Sequence, residues 1–273
     1  MSLFIPFGFY KQAVIGGGGG GLDPDAEAFL TATGITDPTI ESAINQLVLD
    51  LKGYGIWSKM IAIYPFVGGT ATTHKYNLKN PADTNAAFRL TFGASVSHSS
   101  AGFTPGGVNN ASGFTHIRVD TQLSQNDVYA GVYIGTNVAE DRLDFGAISG
   151  GNGIQMGTRI LANQLSTKLF DNSNDTTTST DSRGYSQISR TSSTGYYQQK
   201  DLDYQTFKTR TSLTPPTNEY MAIGGIGVTE TAANAVSTKT VSFAAFGEGL
   251  TTTEMDDMYD AVQTYQTTLG RNY

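Results

Sequence analysis

Between about residues 66 and 247 the apolar side chains recur at every second position, and this habit limits the fold more than any other feature of the chain. Val128, Ala130, Val132 and Ile134 alternate with Tyr129, Gly131, Tyr133 and Gly135, and Phe88, Leu90, Phe92, Ala94 and Val96 alternate with Arg89, Thr91, Gly93 and Ser95. Leu143, Phe145 and Ala147, then Met221 and Ile223, then Val241, Phe243 and Ala245, repeat the pattern. Successive residues of a strand point to opposite faces, so each run offers one side to a core. At least eight such runs of 5 to 9 residues are divided by clusters of Gly, Asn, Asp and Ser, with no helix between them. That order favours a two-sheet antiparallel sandwich over an α/β fold.

The period changes to 3.6 at the two flanks. Asp23-Pro24 and Asp37-Pro38 each place a capping carboxylate before a proline suited to the first helical turn. The first helix runs to Thr33 and stops at Gly34; the second carries Ile40, Ala43, Ile44, Leu47, Val48 and Leu51 on one stripe and stops at Gly53. Thr251 and Glu254 have capping-box spacing ahead of a third stripe, Met255, Met258, Tyr259, Val262, Tyr265 and Leu269, with Gly270 as its stop. Residues 55–65 fit a short helix or a strand and hold the only Trp, Trp57, read as a core anchor. The Ser-, Thr-, Asn- and Asp-rich stretch from Asp171 to Gly195 is expected to be a long loop or an exposed hairpin tip.

Ahead of the first helix, six glycines, Gly16 to Gly21, follow an apolar segment carrying Leu3, Phe4, Ile5, Phe7, Phe9 and Tyr10. The glycines satisfy a G-x-G-x-x-G string but sit in no βαβ unit, so they read as a linker rather than a dinucleotide loop. The segment before them has no basic leader and contains Pro6, unlike a secretory signal, and it is too short to cross a bilayer. Three regions are expected: an anchor peptide and linker over 1–22, a helical lead-in over 23–66, and a sandwich with a closing C-terminal helix over 67–273.

The net charge of −7 and the lack of any basic run argue against a nucleic-acid partner. No Cys is present, which removes disulfides, thiolate metal sites and cysteine nucleophiles. Glycoside hydrolysis needs two facing carboxylates. No Glu-x-Asp-x-x-Glu string occurs, and Glu140, Asp141 and Asp144, or Asp201 and Asp203, read as solvated turn residues. Asp201 and Asp203 supply two carboxylates where a calcium ion takes roughly six to eight oxygens. His74, His98 and His116 share no metal-ligand spacing, and no G-x-S-x-G elbow or Walker loop exists. No catalytic residue, metal or cofactor is expected.

Residues 53–66 (Gly53 to Phe66) followed by His74 to Pro81, and Phe243 to Thr251 leading into Tyr259 to Gln266, resemble phage and prophage virion proteins with a concanavalin A-like, laminin G-like jelly-roll domain. The resemblance covers roughly residues 23–270. It implies a mainly β jelly-roll sandwich with short N-terminal helices and a C-terminal helix, and a place in a virion as capsid decoration, spike or tail fibre. Other virion proteins would then be partners, with multiple copies or a homo-oligomer per particle. The six large apolar residues of the first segment become the virion anchor, meeting either protein or a viral membrane. Host attachment through a surface glycan is the alternative role. Tyr185, Tyr196 and Tyr197, in or beside the polar 171–200 stretch, are the candidate sugar-stacking residues, with packing on a strand face as the competing explanation.

Overall fold

A computed structural model describes residues 21–202 and 204–273; the segment carrying Leu3, Phe4, Ile5, Phe7, Phe9 and Tyr10, the glycines up to Gly20, and Asp203 lie outside the described residues. Helices α1 (Pro24–Thr33) and α2 (Pro38–Gly53) come first, then a 3-10 turn at Trp57–Lys59 and strand β1 (Met60–Tyr64). One-turn helix α3 (Ala71–His74) precedes β2 (Thr91–Phe92), β3 (Ser97–Ser99), β4 (Gly102–Thr104) and β5 (Gly113–Arg118). After the one-turn α4 (Val119–Gln122) come β6 (Val128–Ile134), β7 (Phe145–Ser149), β8 (Asn152–Ile160), β9 (Gln164–Asp171) and β10 (Asp175–Thr178). Strands β11 (Gly184–Arg190), β12 (Gly195–Lys200), β13 (Tyr204–Thr209), β14 (Tyr220–Ile223), β15 (Ile226–Thr229), β16 (Ala232–Asn234) and β17 (Val241–Gly247) follow, and α5 (Thr252–Thr268) closes the sequence of elements.

The strands form two sheets. One runs β13-β12-β11-β6-β17-β4-β3, with β1 also on β17; the other runs β10-β9-β8-β7-β14-β5-β2, with the β15–β16 hairpin attached through β7. Among the described residues the pairing is antiparallel except at Gly227 with Ala147 and at the isolated bridge of Leu143 with Val236. The chain is thus a mainly β, two-sheet antiparallel sandwich of jelly-roll type, as the period-two pattern predicts.

Every residue of β6 and of β17 is buried. Val128, Ala130, Val132 and Ile134 meet Phe145, Ile154, Met156 and Leu169 in the core between the sheets. Tyr129, Tyr133, Phe243 and Ala245 face the other way, into a second core with Leu47 and Leu51 of α2 and Met255, Met258 and Val262 of α5. Strand β17 alternates between the two cores, and a bulge between Val241 and Phe243 shifts its phase so that Val241, Ala244 and Phe246 turn to the first. The molecule therefore has three layers: helices, sheet and sheet. The helix caps form as the sequence indicates, with Asp37 Oδ1 accepting from the Thr39 and Ile40 N–H groups and Thr251 and Glu254 closing a capping box. Arg271 secures the helical layer by donating to the carbonyls of Phe66, Ser100, Pro65 and Ser242.

Three expectations need correction. Residues 171–195 are not one long loop: they begin with the exposed tip of the β9–β10 hairpin, but they also hold the wholly buried β11. The polar side chains of β11 are spent inside: Gln187 Nε2 donates to the Met255 carbonyl at 2.8 Å, and Ser189 Oγ to that of Leu250 at 2.6 Å. Residues 88–96 form only the two-residue β2, since Phe88 takes a left-handed conformation (φ 56°). Helices are not confined to the ends, given α3 and α4. Residues 55–65 are a 3-10 turn followed by a strand, and the half-buried Trp57 packs against the helical layer with Lys79 Nζ 4.0 Å from its ring centroid.

The fold also brings together two histidines distant in sequence. His74 Nδ1 lies 3.0 Å from His98 Nδ1, beside the rings of Phe66, Phe92 and Phe103, and His74 Nε2 has no hydrogen-bond partner among the described residues. Burial first, then His98 and Arg271, push His74 down to about 3 from its usual 6.5, and burial lowers His98 too. Folded His74 thus stays neutral where the unfolded ring binds a proton, so stability is lost as pH falls from 6.5 towards 3. At about 1.4 kcal/mol per pH unit, roughly 2–3 kcal/mol should disappear by about pH 4.5. Urea denaturation of the protein and of His74→Phe at neutral pH and at about pH 4.5 reads this directly. Equal acid losses in the two would exclude His74 as the source. In the helix-facing core, Phe243→Ala should lower stability by about 3–5 kcal/mol in the same assay, because the ring spans between Tyr185 and Tyr265.

Candidate functional site

The outer face of the second sheet is partly covered by the β15–β16 hairpin, which seals a small core of Ala111, Phe114, Ala222, Ala233 and Val236. Asn110 pins the hairpin: its N–H donates to the Ala233 carbonyl at 2.8 Å, and its Oδ1 accepts from the Ala233 N–H at 3.0 Å. The hairpin stops short of the edge strand β2. Between its tip and that edge lies an open cleft of about 500 Å³ whose lining includes Asn85, Arg89, Thr91, Asn110, His116 and Glu230.

His116 organises this cleft. It sits on β5 with φ 59°, a left-handed conformation that costs a non-glycine residue on the order of 1–3 kcal/mol and is held by the surrounding ladder. That twist goes with the irregular pairing of β5 and β14 between Tyr220 and Ala222. The imidazole is clamped from both sides, with Nδ1 2.8 Å from Glu230 Oε1 and Nε2 3.3 Å from Thr91 Oγ1. Asn85 Nδ2 donates to the same Glu230 oxygen at 3.2 Å. The carboxylate, 46% exposed, is therefore fixed through Oε1, while Oε2 has no bond to a described residue.

Arg89 borders the opposite wall, its Nε donating to Asn85 Oδ1 at 3.1 Å and Nη1 to Asp83 Oδ1 at 2.8 Å. Hydrogen bonds from Lys75 and Arg89 hold the Asp83 carboxyl below the usual carboxylate range. Among the described lining residues Glu230 is the only carboxylate. One fixed carboxylate, one guanidinium and two amides suit a ligand rich in hydroxyl groups, which both donate and accept.

The structure separates the three candidate tyrosines. Tyr185 is buried, with its ring against Phe243 and its hydroxyl on that of Tyr129. Tyr196 is buried between the sheets, its hydroxyl donating to Asp175 Oδ2 at 2.9 Å with the Arg190 guanidinium over its ring. Burial pushes both hydroxyls well above the ordinary tyrosine range. Neither ring can meet a glycan, because each points into a core. Tyr197 is half-buried on the opposite face of β12, where Phe207 packs on it.

The carboxylates also change character. Asp144 is not a solvated turn residue; it is fully buried, 3.2 Å from the fully buried Lys239 Nζ, and accepts from Thr158 and Ser237. Glu140 accepts from Ser237 and Thr238 beside it, and Asp141 is exposed. Asp201 Oδ1 accepts from the Tyr185 N–H, while Asp203 lies outside the described residues. No cluster of three or more metal-binding side chains exists among the described residues. The cleft residues were not found from sequence, since residues 85–116 meet residue 230 only through the hairpin fold-over.

No protein-family model matches the chain, and no curated protein matches it significantly. Solved structures do. Domain 4 of an extracellular arabinanase from Geobacillus stearothermophilus, in complex with arabinotriose, is similar with a TM-score of 0.50 at 12% identity, over 74% of this chain and 98% of that one. The binding domain of botulinum neurotoxin serotype D is similar with a TM-score of 0.50 at 8% identity, over 76% of this chain and 52% of that one. At these identities the likeness is one of fold, and it places the chain among β-sandwich domains.

Proposed function

We propose that the chain is a non-catalytic carbohydrate-binding β-sandwich module of a bacteriophage particle, with the His116–Glu230 cleft as its glycan site. The observation that carries this reading is the exposed Glu230 carboxylate, held through one oxygen by His116 and Asn85 at the mouth of an open cleft. A carboxylate oxygen and neighbouring amide groups accept from and donate to vicinal sugar hydroxyls. The strained backbone of His116 supports the same reading, because strain held in place by its surroundings gathers at binding sites. A single lining carboxylate fits binding rather than hydrolysis, which works with a pair. The sandwich fold offers a precedent: the arabinanase domain is in complex with arabinotriose.

The particle context rests on the resemblance of the two ends of the chain to phage and prophage virion proteins. On that basis the apolar segment Leu3, Phe4, Ile5, Phe7, Phe9 and Tyr10 is the anchor and the sandwich is displayed outward. Burying large apolar side chains at about 1.5–3 kcal/mol each is enough for three or four of them to hold such a peptide on a partner.

Glycan-array binding followed by titration calorimetry tests the site. Glu230→Ala and Asn110→Ala should each weaken binding by about 1.5–3 kcal/mol, roughly ten- to a hundred-fold, since each removes a hydrogen-bonding group. Glu230→Ala should also lower stability by about 1–3 kcal/mol, because it leaves the buried His116 Nδ1 without its partner. The array-positive polysaccharide should keep its chain length on long incubation. Unaltered affinity in Glu230→Ala would remove the cleft from the account, and oligosaccharide release would remove the non-catalytic role. Deleting residues 1–15 should leave a stable soluble domain that no longer joins virions, and normal incorporation would count against the anchor.

A further inference from the structure

A second surface, at the far edge of the first sheet, carries the chemistry of sugar stacking. Strands β12 and β13 form that edge, and Tyr197 and Phe207 are directly opposed across them. Their ring centroids are 5.0 Å apart with planes at 58°. Phe207 is 45% exposed. It lies across Gly195, where an added Cβ would collide with the Cζ and Cε1 atoms of the ring. The missing side chain lets the ring settle onto the strand instead of standing off it.

The surroundings of the rings are polar. The next pair on the same face of the two strands is Gln199 with Gln205. Gln205 Nε2 donates to the Thr252 carbonyl at 3.1 Å and Gln199 Nε2 to Asp256 Oδ1 at 2.7 Å. Those bonds orient both groups and leave Gln205 Oε1 and Asp256 Oδ2 as acceptors on exposed residues. On the other flank stands the exposed Thr209, opposite Gly195.

A large apolar ring on a strand that is an edge among the described residues invites unwanted pairing, a hazard that edges ordinarily avoid with charge or brevity. Its retention calls for an occupant. A protein partner would need roughly 1,200 Å² or more of buried surface with an apolar centre. Two rings bordered by Gln, Thr and an acidic residue cannot supply that. They do match one face of a single sugar ring, whose axial C–H groups sit on an aromatic plane while its equatorial hydroxyls reach the acceptors around it. We propose that Tyr197 and Phe207 form a stacking platform for a pyranose of a neutral polysaccharide. This surface is separate from the His116–Glu230 cleft and independent of it.

Affinity electrophoresis of the full chain through gels containing dextran, galactomannan or hydroxyethyl cellulose tests the platform. Retardation is expected in at least one gel, and Phe207→Ala should weaken it about five-fold or more. Phe207→Trp, which offers a larger ring face, should retain it. No retardation of the unaltered chain in any gel would overturn the proposal, as would equal retardation of Phe207→Ala. Loss in both Phe207 variants together with a fall in melting temperature would show a ring that only packs on Gly195, and would overturn it too. Glu230→Ala provides the contrast. Phe207-dependent retardation that survives in that variant supports a separate platform, and its disappearance there would mean that there is only one site.

Discussion

A pair of central strands dry on both faces is the constraint on which the rest of this molecule depends. Once β6 and β17 have no residue in water, their backbone groups must be met by neighbouring strands and their side chains by two separate cores. Polar atoms taken into the helix-facing core must be paired. Tyr129, Tyr185 and Gln187 do this with one another, stacked above Gly131, where a Cβ would strike both tyrosine hydroxyls. The helices are consequently part of the fold's own interior. Arg271, which ties the segment after α5 to the carbonyls at Pro65 and Phe66, holds that lid down by its polar margin.

The two outward surfaces lie where covering layers end. The β15–β16 hairpin covers part of the outer face of the second sheet and leaves the margin by β2 open. The helical layer covers the first sheet and leaves the margin by β13 open. Each opening exposes groups that the covering layer orients: Glu230 belongs to the hairpin tip, and Asp256 and Thr252 to the first turns of α5. A rigid sandwich with functional groups at its uncovered margins keeps recognition away from the cores that give stability.

Much of the fold was legible because period and caps are local. The runs around Val132 and Phe243 and the helix starts at Asp23, Asp37 and Thr251 follow from neighbouring residues alone. Strand β11 was not legible, because Ser186, Gln187 and Ser189 look like surface residues until α5 supplies carbonyls for them. Residues 88–96 misled in the opposite sense: their alternation is regular, but Phe88 turns left-handed and the backbone at Gly93 presses on the Asn110 carbonyl. The cleft was invisible for a third reason. Its carboxylate and its imidazole are 114 positions apart, and no local spacing records their meeting. Tyr197 was visible as an aromatic in a polar setting; its partner Phe207 acquires meaning only through strand register.

The position of β17 has a consequence for how the chain is made. It lies between β6 and β1, so β1 waits for residues 241–247 to gain its partner, and β6, which can pair earlier with β11, waits for them to fill its other edge. During synthesis at the ribosome, roughly 5–20 residues are added each second. More than a hundred residues separate β6 from β17, so several seconds pass in which one hydrogen-bonding edge of β6 stays uncovered. Nascent chains of this kind are vulnerable to premature association, and chaperone dependence should concentrate in that interval, ending abruptly when β17 and α5 emerge.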